Sequence, residues 1–123
     1  MTDFARERAR LIIADDEPAV RKLLVELLAG ENFNVVGVAG DGVEAIGLAE
    51  RLQADAFVLD VRMPNMGGIE AARAIRAGSP DARLVVFSAY EDATLQEDAV
   101  AAGVDTCLVK GCPFGDLLVA LRG

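Results

Sequence analysis

The sequence predicts an α/β protein built on a parallel sheet with helices on both faces, and three features predict it. Short continuous apolar runs begin near positions 10, 33, 56, 83 and 106, the pattern of strands buried on both sides. Each is followed by a segment of helical character, so that the chain alternates between the two from end to end. Reactive residues collect where the apolar runs stop. Five βα units in succession imply a parallel sheet whose right-handed crossovers place helices on both of its faces.

The first strand is read in Arg10-Leu-Ile-Ile-Ala14, which ends in Asp15-Asp16-Glu17. Pro18 suits the first turn of a helix, Val20, Leu23, Leu24 and Leu27 follow at helical spacing, and Gly30 is the expected stop. Phe33-Asn-Val-Val-Gly-Val38 is the second strand. Asp41 and Glu44 form a start resembling a capping box for a helix to about Leu52. Ala56-Phe-Val-Leu-Asp60 is the third strand and breaks into Val-Arg-Met-Pro64-Asn-Met-Gly67-Gly68. Gly68, Ala71, Ala72 and Ile75 give the next helix a small-residue face able to lie close to a sheet, and Gly78-Ser-Pro80 ends it. Arg83-Leu-Val-Val-Phe87 is the fourth strand, finishing at Ser88-Ala-Tyr90. Asp92 to Ala102 is helix-prone but weakly amphipathic, with Leu95 and Ala99 its clearest pair. Thr106-Cys-Leu-Val109 is the fifth strand and ends at Lys110. Pro113 opens a last helix with Phe114, Leu117, Leu118 and Leu121 on one stripe.

Bulk properties narrow the chemistry. At 123 residues, 53% hydrophobic and 26% charged, the chain is read as one globular domain over 1–123. No apolar run approaches the ~18 residues a spanning helix needs, and the start, Met1 to Arg10, alternates charges without the apolar core of a secretory signal. A cytoplasmic chain without membrane contact is expected. The net charge of −8 argues against direct nucleic acid binding by this domain, because phosphate contacts need clustered Lys and Arg. Cys107 and Cys112 are too few for a zinc cluster and are read as reduced thiols. The absence of histidine removes Ser-His-Asp and Cys-His catalysis, which leaves carboxylates, hydroxyls and lysine.

A parallel sheet would bring Asp15 and Asp16, Asp60, Ser88 and Lys110 to one edge. Taken singly, each has a dull explanation: acids favoured at a helix N-terminus, a turn serine, a solvated lysine. Their joint placement is harder to dismiss. Carboxylates ~4 Å apart repel by about 1 to 4 kcal/mol per pair at effective dielectrics between bulk water and a protein surface. A proton or a cation must therefore sit among them. All-oxygen ligands with positions open to water and phosphate suit Mg²⁺ better than a closed calcium cage. Such a pocket with a lysine and a hydroxyl beside it suits phosphoryl transfer, with Asp60 as nucleophile.

The set Asp15-Asp16, Asp60-Val-Arg-Met-Pro64-Asn-Met-Gly67-Gly68, Ser88-Ala89 and Lys110-Gly-Cys-Pro113 resembles the receiver domain of two-component response regulators, in order and spacing, from about Arg10 to Arg122. The resemblance implies the flavodoxin-like (βα)5 three-layer sandwich, with a five-stranded parallel sheet in the order 2-1-3-4-5. It implies that Asp60 accepts a phosphoryl group from a histidine on a sensor kinase, which fits a chain with no histidine of its own. It further implies Mg²⁺ ligation by Asp16 directly, by Asp15 largely through water, by Asp60 and by the backbone carbonyl of Arg62. Ser88 and the Ala89 amide would bond phosphoryl oxygens, and Lys110 would pair with another. The implied output is a conformational switch, passed to an output domain, a partner protein or a phosphorylation-dependent homodimer through the fourth helix, fifth strand and fifth helix. The stretch from Gly103 to Lys110-Gly is most similar to receivers that precede a helix-turn-helix DNA-binding domain, an output in transcription.

One departure matters. The family commonly has an aromatic residue three positions before the lysine, which swings inward as the hydroxyl moves, and here that switch position is Cys107. Signalling is therefore expected to rely more on Ser88 and on the loop and helix after it. Arg62 and Tyr90 occupy positions lining the route to the phosphoryl group, and their bulk predicts slow hydrolysis. Two other readings compete. Haloacid-dehalogenase-type phosphatases also use Asp, Ser or Thr and Lys around Mg²⁺, but place a second acid two residues after the nucleophile, where this chain has Arg62. A phosphorylation-independent interaction module would not need the intact acid trio and lysine. No enzyme activity beyond the chain's own aspartyl phosphorylation and dephosphorylation is expected.

Overall fold

A computed structural model describes residues 8–90 and 92–123. The reading of the opening ten residues falls, for 1–7, outside the described residues. The five expected strands are β1 (Ala9–Ala14), β2 (Phe33–Ala39), β3 (Ala56–Asp60), β4 (Arg83–Ser88) and β5 (Thr106–Val109). They alternate with α1 (Pro18–Ala29), α2 (Gly42–Arg51), α3 (Gly68–Gly78), α4 (Ala93–Ala101) and α5 (Phe114–Arg122). Every strand pairing is parallel, and the order across the sheet is β2-β1-β3-β4-β5, as the resemblance implied.

Both faces of the three central strands are apolar because both are covered. Ile12, Phe57, Leu59, Leu84 and Val86 point to one side, where they meet Ala45 of α2, Ala71, Ala72 and Ile75 of α3, and Ala99 of α4. Leu11, Ile13, Val58, Val85 and Phe87 point to the other, against Leu24 and Leu28 of α1 and Leu117, Ala120 and Leu121 of α5. Each fully buried large aliphatic contributes roughly 1.5–3 kcal/mol relative to exposure, so this alternation supplies most of what fixes the strand ends. Among the described residues no helix is long and apolar enough to cross a membrane.

The small-residue face of α3 lies as expected, with Gly68, Ala71, Ala72 and Ile75 all buried. The stripe read on α1 shifts. Leu24 and Leu28 face the core, while Leu23 is 56% and Leu27 39% exposed. Gly30 caps α1 in the right-handed region, and the left-handed turn comes two residues later at Asn32 (φ 69°). The capping arrangement at α2 is also displaced: Asp41 Oδ1 accepts from the Glu44 amide at 2.8 Å, but Glu44 Oε1 reaches past residue 41 to accept from the Gly40 amide at 2.7 Å. The weak amphipathicity of α4 is real, since Ala99 is its one buried residue. On β5, Cys107 turns toward the α2/α3/α4 side and Leu108 toward the α1/α5 side.

Candidate functional site

The parallel pairing decides where the polar strand ends meet. β1 lies between β2 and β3, and its register with β3 sets Ala14 against Leu59, so Asp15 leaves β1 beside the end of β3. Asp60 pairs with Phe87, which puts Ser88 one step further along β4, and Ser88 pairs with Val109, next to Lys110. The five residues selected from the sequence thus arrive at one edge on the ends of four strands.

Asp15 and Asp60 are buried side chains at 1% and 6% exposure, whereas Asp16 faces solvent. One oxygen of each of the three acids lies within 4.8 Å of the others. Lys110 Nζ stands between the two buried carboxylates, 3.0 Å from Asp15 Oδ2 and 3.2 Å from Asp60 Oδ1. The other oxygen of Asp15 accepts from the Glu17 amide at 2.9 Å, and the Asp15 carbonyl accepts from Arg21 Nη1 at 2.6 Å. Asp15 is therefore fixed from both ends, while Asp60 is held chiefly by its strand and by Lys110.

The electrostatics follow from this crowding. Burial, and then the neighbouring Asp15 charge, push the Asp60 acid up to about 6, against a smaller downward pull from Lys110. Burial acts to lower the Lys110 ammonium, but its hydrogen bond to Asp15 and the two carboxylate charges outweigh that and raise it. A Lys110→Met variant leaves burial and Asp15 unopposed, so the Asp60 carboxyl should titrate above its value in the unaltered chain. Carbon-13 NMR of the Asp60 carboxyl reads that midpoint, and a midpoint that stayed or fell would contradict this account.

Three carboxylates, one of them exposed, form an oxygen donor set with an open side, which suits a hard divalent cation. Arg62 lies in the loop that follows Asp60, exposed, with its guanidinium carbon 5.6 Å from the centre of the Tyr90 ring. That loop is anchored by backbone hydrogen bonds from Val61 to Phe87 and from Gly68 to Val61. Ser88 is buried, and its hydroxyl donates to the Tyr90 carbonyl at 2.7 Å and accepts from the Tyr90 amide at 3.1 Å. Ala89 is exposed beside it, and Cys107 is half-buried, with burial pushing its thiol up.

Sequence reasoning missed one support of the site. Asp41, the N-cap of α2, also accepts from Asn65 Nδ2 at 2.8 Å, and the Gly42 amide donates to the Met66 carbonyl at 2.8 Å. Asn65 sits in the left-handed region (φ 66°), a conformation that asparagine tolerates better than most residues. The signal available in the sequence was the Pro-Asn-Met-Gly run, but its partner 24 positions away was not readable. Asp41→Ala removes both the cap and the clamp, Asn65→Gly only the clamp, because glycine keeps the left-handed turn without strain. Thermal unfolding should therefore show a lower midpoint for Asp41→Ala than for Asn65→Gly, and equal midpoints would leave Asn65 as the only contributor.

With that geometry in view, comparison with known proteins is direct. The family described as the response regulator receiver domain matches residues 11–122. The transcriptional regulatory protein PdtaR of Mycobacterium tuberculosis is 42% identical over 113 residues, covering 92% of this chain and 55% of that protein. The nitrate/nitrite response regulator NarL of Escherichia coli is 38% identical over 121 residues, covering 95% and 55%. The chain thus spans about half the length of these curated relatives. Among solved structures, a LuxR-family two-component response regulator from Aurantimonas sp. SI85-9A1 superposes with a TM-score of 0.88 at 31% identity, covering 94% of this chain and 84% of that one. The CheX–CheY–BeF3–Mg complex from Borrelia burgdorferi gives 0.90 at 27% identity, covering 99% and 92%. Fold, site and comparisons agree that this chain belongs to the response regulator receiver domain family.

Proposed function

We propose that residues 1–123 form one receiver domain that takes a phosphoryl group from a histidine of a sensor kinase onto Asp60. The observation that carries this reading is the Lys110 ammonium set between two buried carboxylates, Asp15 and Asp60, with Asp16 beside them. An Asp60 oxygen forms the new P–O bond as the donor's P–N bond breaks, and the departing imidazole takes up a proton. Asp15, Asp16, Asp60 and the Arg62 carbonyl would hold Mg²⁺, which would neutralise charge on the phosphoryl oxygens when bound. Lys110 is placed to pair with one phosphoryl oxygen, and the Ser88 hydroxyl and Ala89 amide to bond another. Support for the metal and the phosphoryl group comes also from the Borrelia burgdorferi neighbour, whose complex contains BeF3 and Mg.

The partner delivering the phosphoryl group meets an apolar groove of about 270 Å³ beside Lys110, lined by Val20, Leu23, Leu27, Pro113, Phe114 and Leu117. The output surface is the α4, β5 and α5 face, which exposes Val100 and Val119. It would act on an output domain, on a partner protein or through a homodimer, in the cytoplasm and without direct nucleic acid contact by this domain. Incubation with Mg²⁺ and acetyl phosphate, read by intact mass, should add one phosphoryl group that Asp60→Asn abolishes. No gain, or a gain that survives in Asp60→Asn, would remove the proposal.

A further inference from the structure

We infer that Tyr90 is the residue through which a phosphoryl group on Asp60 is reported to the surface, taking over the task that the side chain at position 107 cannot perform. The inference rests on the phosphoacceptor reading of Asp60. The Ser88 hydroxyl has one proton to donate, and it gives it to the Tyr90 carbonyl at 2.7 Å while accepting from the Tyr90 amide at 3.1 Å. The oxygens of an ionised phosphoryl group only accept. Ser88 therefore cannot bond the phosphoryl group and keep the Tyr90 carbonyl. A hydrogen bond to an ionised acceptor is roughly twice as strong as one to a neutral carbonyl, so the exchange runs toward the phosphoryl group.

Tyr90 has a second tether that the same event weakens. Its ring lies over the Arg62 guanidinium at 5.6 Å, and Arg62 is two residues after the phosphoacceptor. An aspartyl phosphate carries about −1.5 to −2 charges where the carboxylate carried one, and the added charge, spread over outward-facing oxygens, attracts that guanidinium away from the ring. The groups that hold the Tyr90 carbonyl and ring, the Ser88 hydroxyl and the Arg62 guanidinium, are thus both groups that the phosphoryl group recruits. Ser88 is 3% exposed and Tyr90 62%, so this two-residue link already runs from the buried site to the surface at the entrance to α4. The alternatives are poor reporters. Phe33, Phe57 and Phe87 are fixed in the core, and Cys107 carries a half-buried thiol with no ring to exchange between inside and outside.

Tyr90 is the chain's one tyrosine and there is no tryptophan, so 3-fluorotyrosine labels this position alone. Fluorine NMR of the labelled protein with Mg²⁺ and beryllium fluoride reads two things at once: bound fluoroberyllate through its own resonance, and Tyr90 through the ring fluorine. Saturation should displace the ring resonance in the unaltered chain and in Cys107→Ser. In Ser88→Ala, where the hydroxyl tether is gone beforehand and only the Arg62 tie is left to release, the displacement at saturating fluoroberyllate should shrink, and in Ser88→Ala combined with Arg62→Ala it should be lost. A mere effect of nearby charge would persist in Ser88→Ala, so a full displacement there overturns the inference. So does bound fluoroberyllate with an unmoved ring resonance, or a displacement that Cys107→Ser removes. Absence of any bound fluoroberyllate signal would instead overturn the phosphoacceptor reading, and this inference with it.

Discussion

Asp60→Asn is expected to make the metal-free protein more stable at pH 7, by up to about 3 kcal/mol, with the gain gone near pH 4. Burial and the Asp15 charge raise the Asp60 acid from an ordinary 3.8 to about 6 in the folded chain. The folded state therefore holds this proton more tightly than the unfolded state does. The contribution to stability is fully present below about 3.8, is lost as pH rises through about 6, and stays lost above it. A gap of about 2 pH units at about 1.36 kcal/mol each sets the ceiling. Asparagine has nearly the same shape and never ionises, so it escapes the penalty, while Lys110 keeps its bond to Asp15. Thermal unfolding in chelator at pH 4, 5, 6 and 7 tests this: the two proteins should converge at the acid end and separate by several degrees at neutral pH. A neutral-pH midpoint lower in Asp60→Asn, or a difference independent of pH, would sink the account. A structural position has no reason to keep a charge that weakens the fold, whereas a nucleophile must be kept ionisable.

How far the sequence alone reached depends on what each feature requires. Strand ends were legible because a run such as Arg10 to Ala14 stops at its first acid, and a parallel sheet then leaves one edge where Asp15, Asp60, Ser88 and Lys110 can gather. The buried face of α3 was legible because Gly68, Ala71, Ala72 and Ile75 offer a single stripe. On α1 the repeated leucine pairs allow two stripes, and only packing against β1 and α5 chooses the one through Leu24 and Leu28. The loops were the least readable. The bond between Asp41 and Asn65, the reach of Glu44 to Gly40 and the hold of Ser88 on Tyr90 depend on side chains brought together by turns, not on any period. The departure at Cys107 was visible in the sequence, but the contacts of Tyr90 with Ser88 and Arg62 were not, because they exist only in the folded chain.

Gly68→Ala should destabilise the protein by about 3 kcal/mol or more and suppress phosphorylation of Asp60 in whatever fraction still folds. Gly68 has an ordinary backbone conformation, so the cost is one of space alone. A methyl group there would overlap the Asp60 carbonyl oxygen and lie 2.9 Å from its carbon and 3.3 Å from Leu59 Cβ. Backbone cannot rotate aside as a flexible side chain can, so overpacking here belongs at or above the usual 1–3 kcal/mol. Either α3 lifts off the sheet, which the buried Ala71, Ala72 and Ile75 resist, or the end of β3 moves and takes the carboxylate with it. Gly115→Ala in α5 is the control, because a Cβ there meets nothing within 4 Å. By helix propensity that change should leave the protein as stable or raise its stability by roughly 0.5 kcal/mol. Denaturant unfolding compares the two stabilities, and intact mass after acetyl phosphate compares phosphorylation. A Gly68→Ala protein with unchanged midpoint and full phosphorylation would mean that the approach of α3 to Asp60 is not what holds the acid in place.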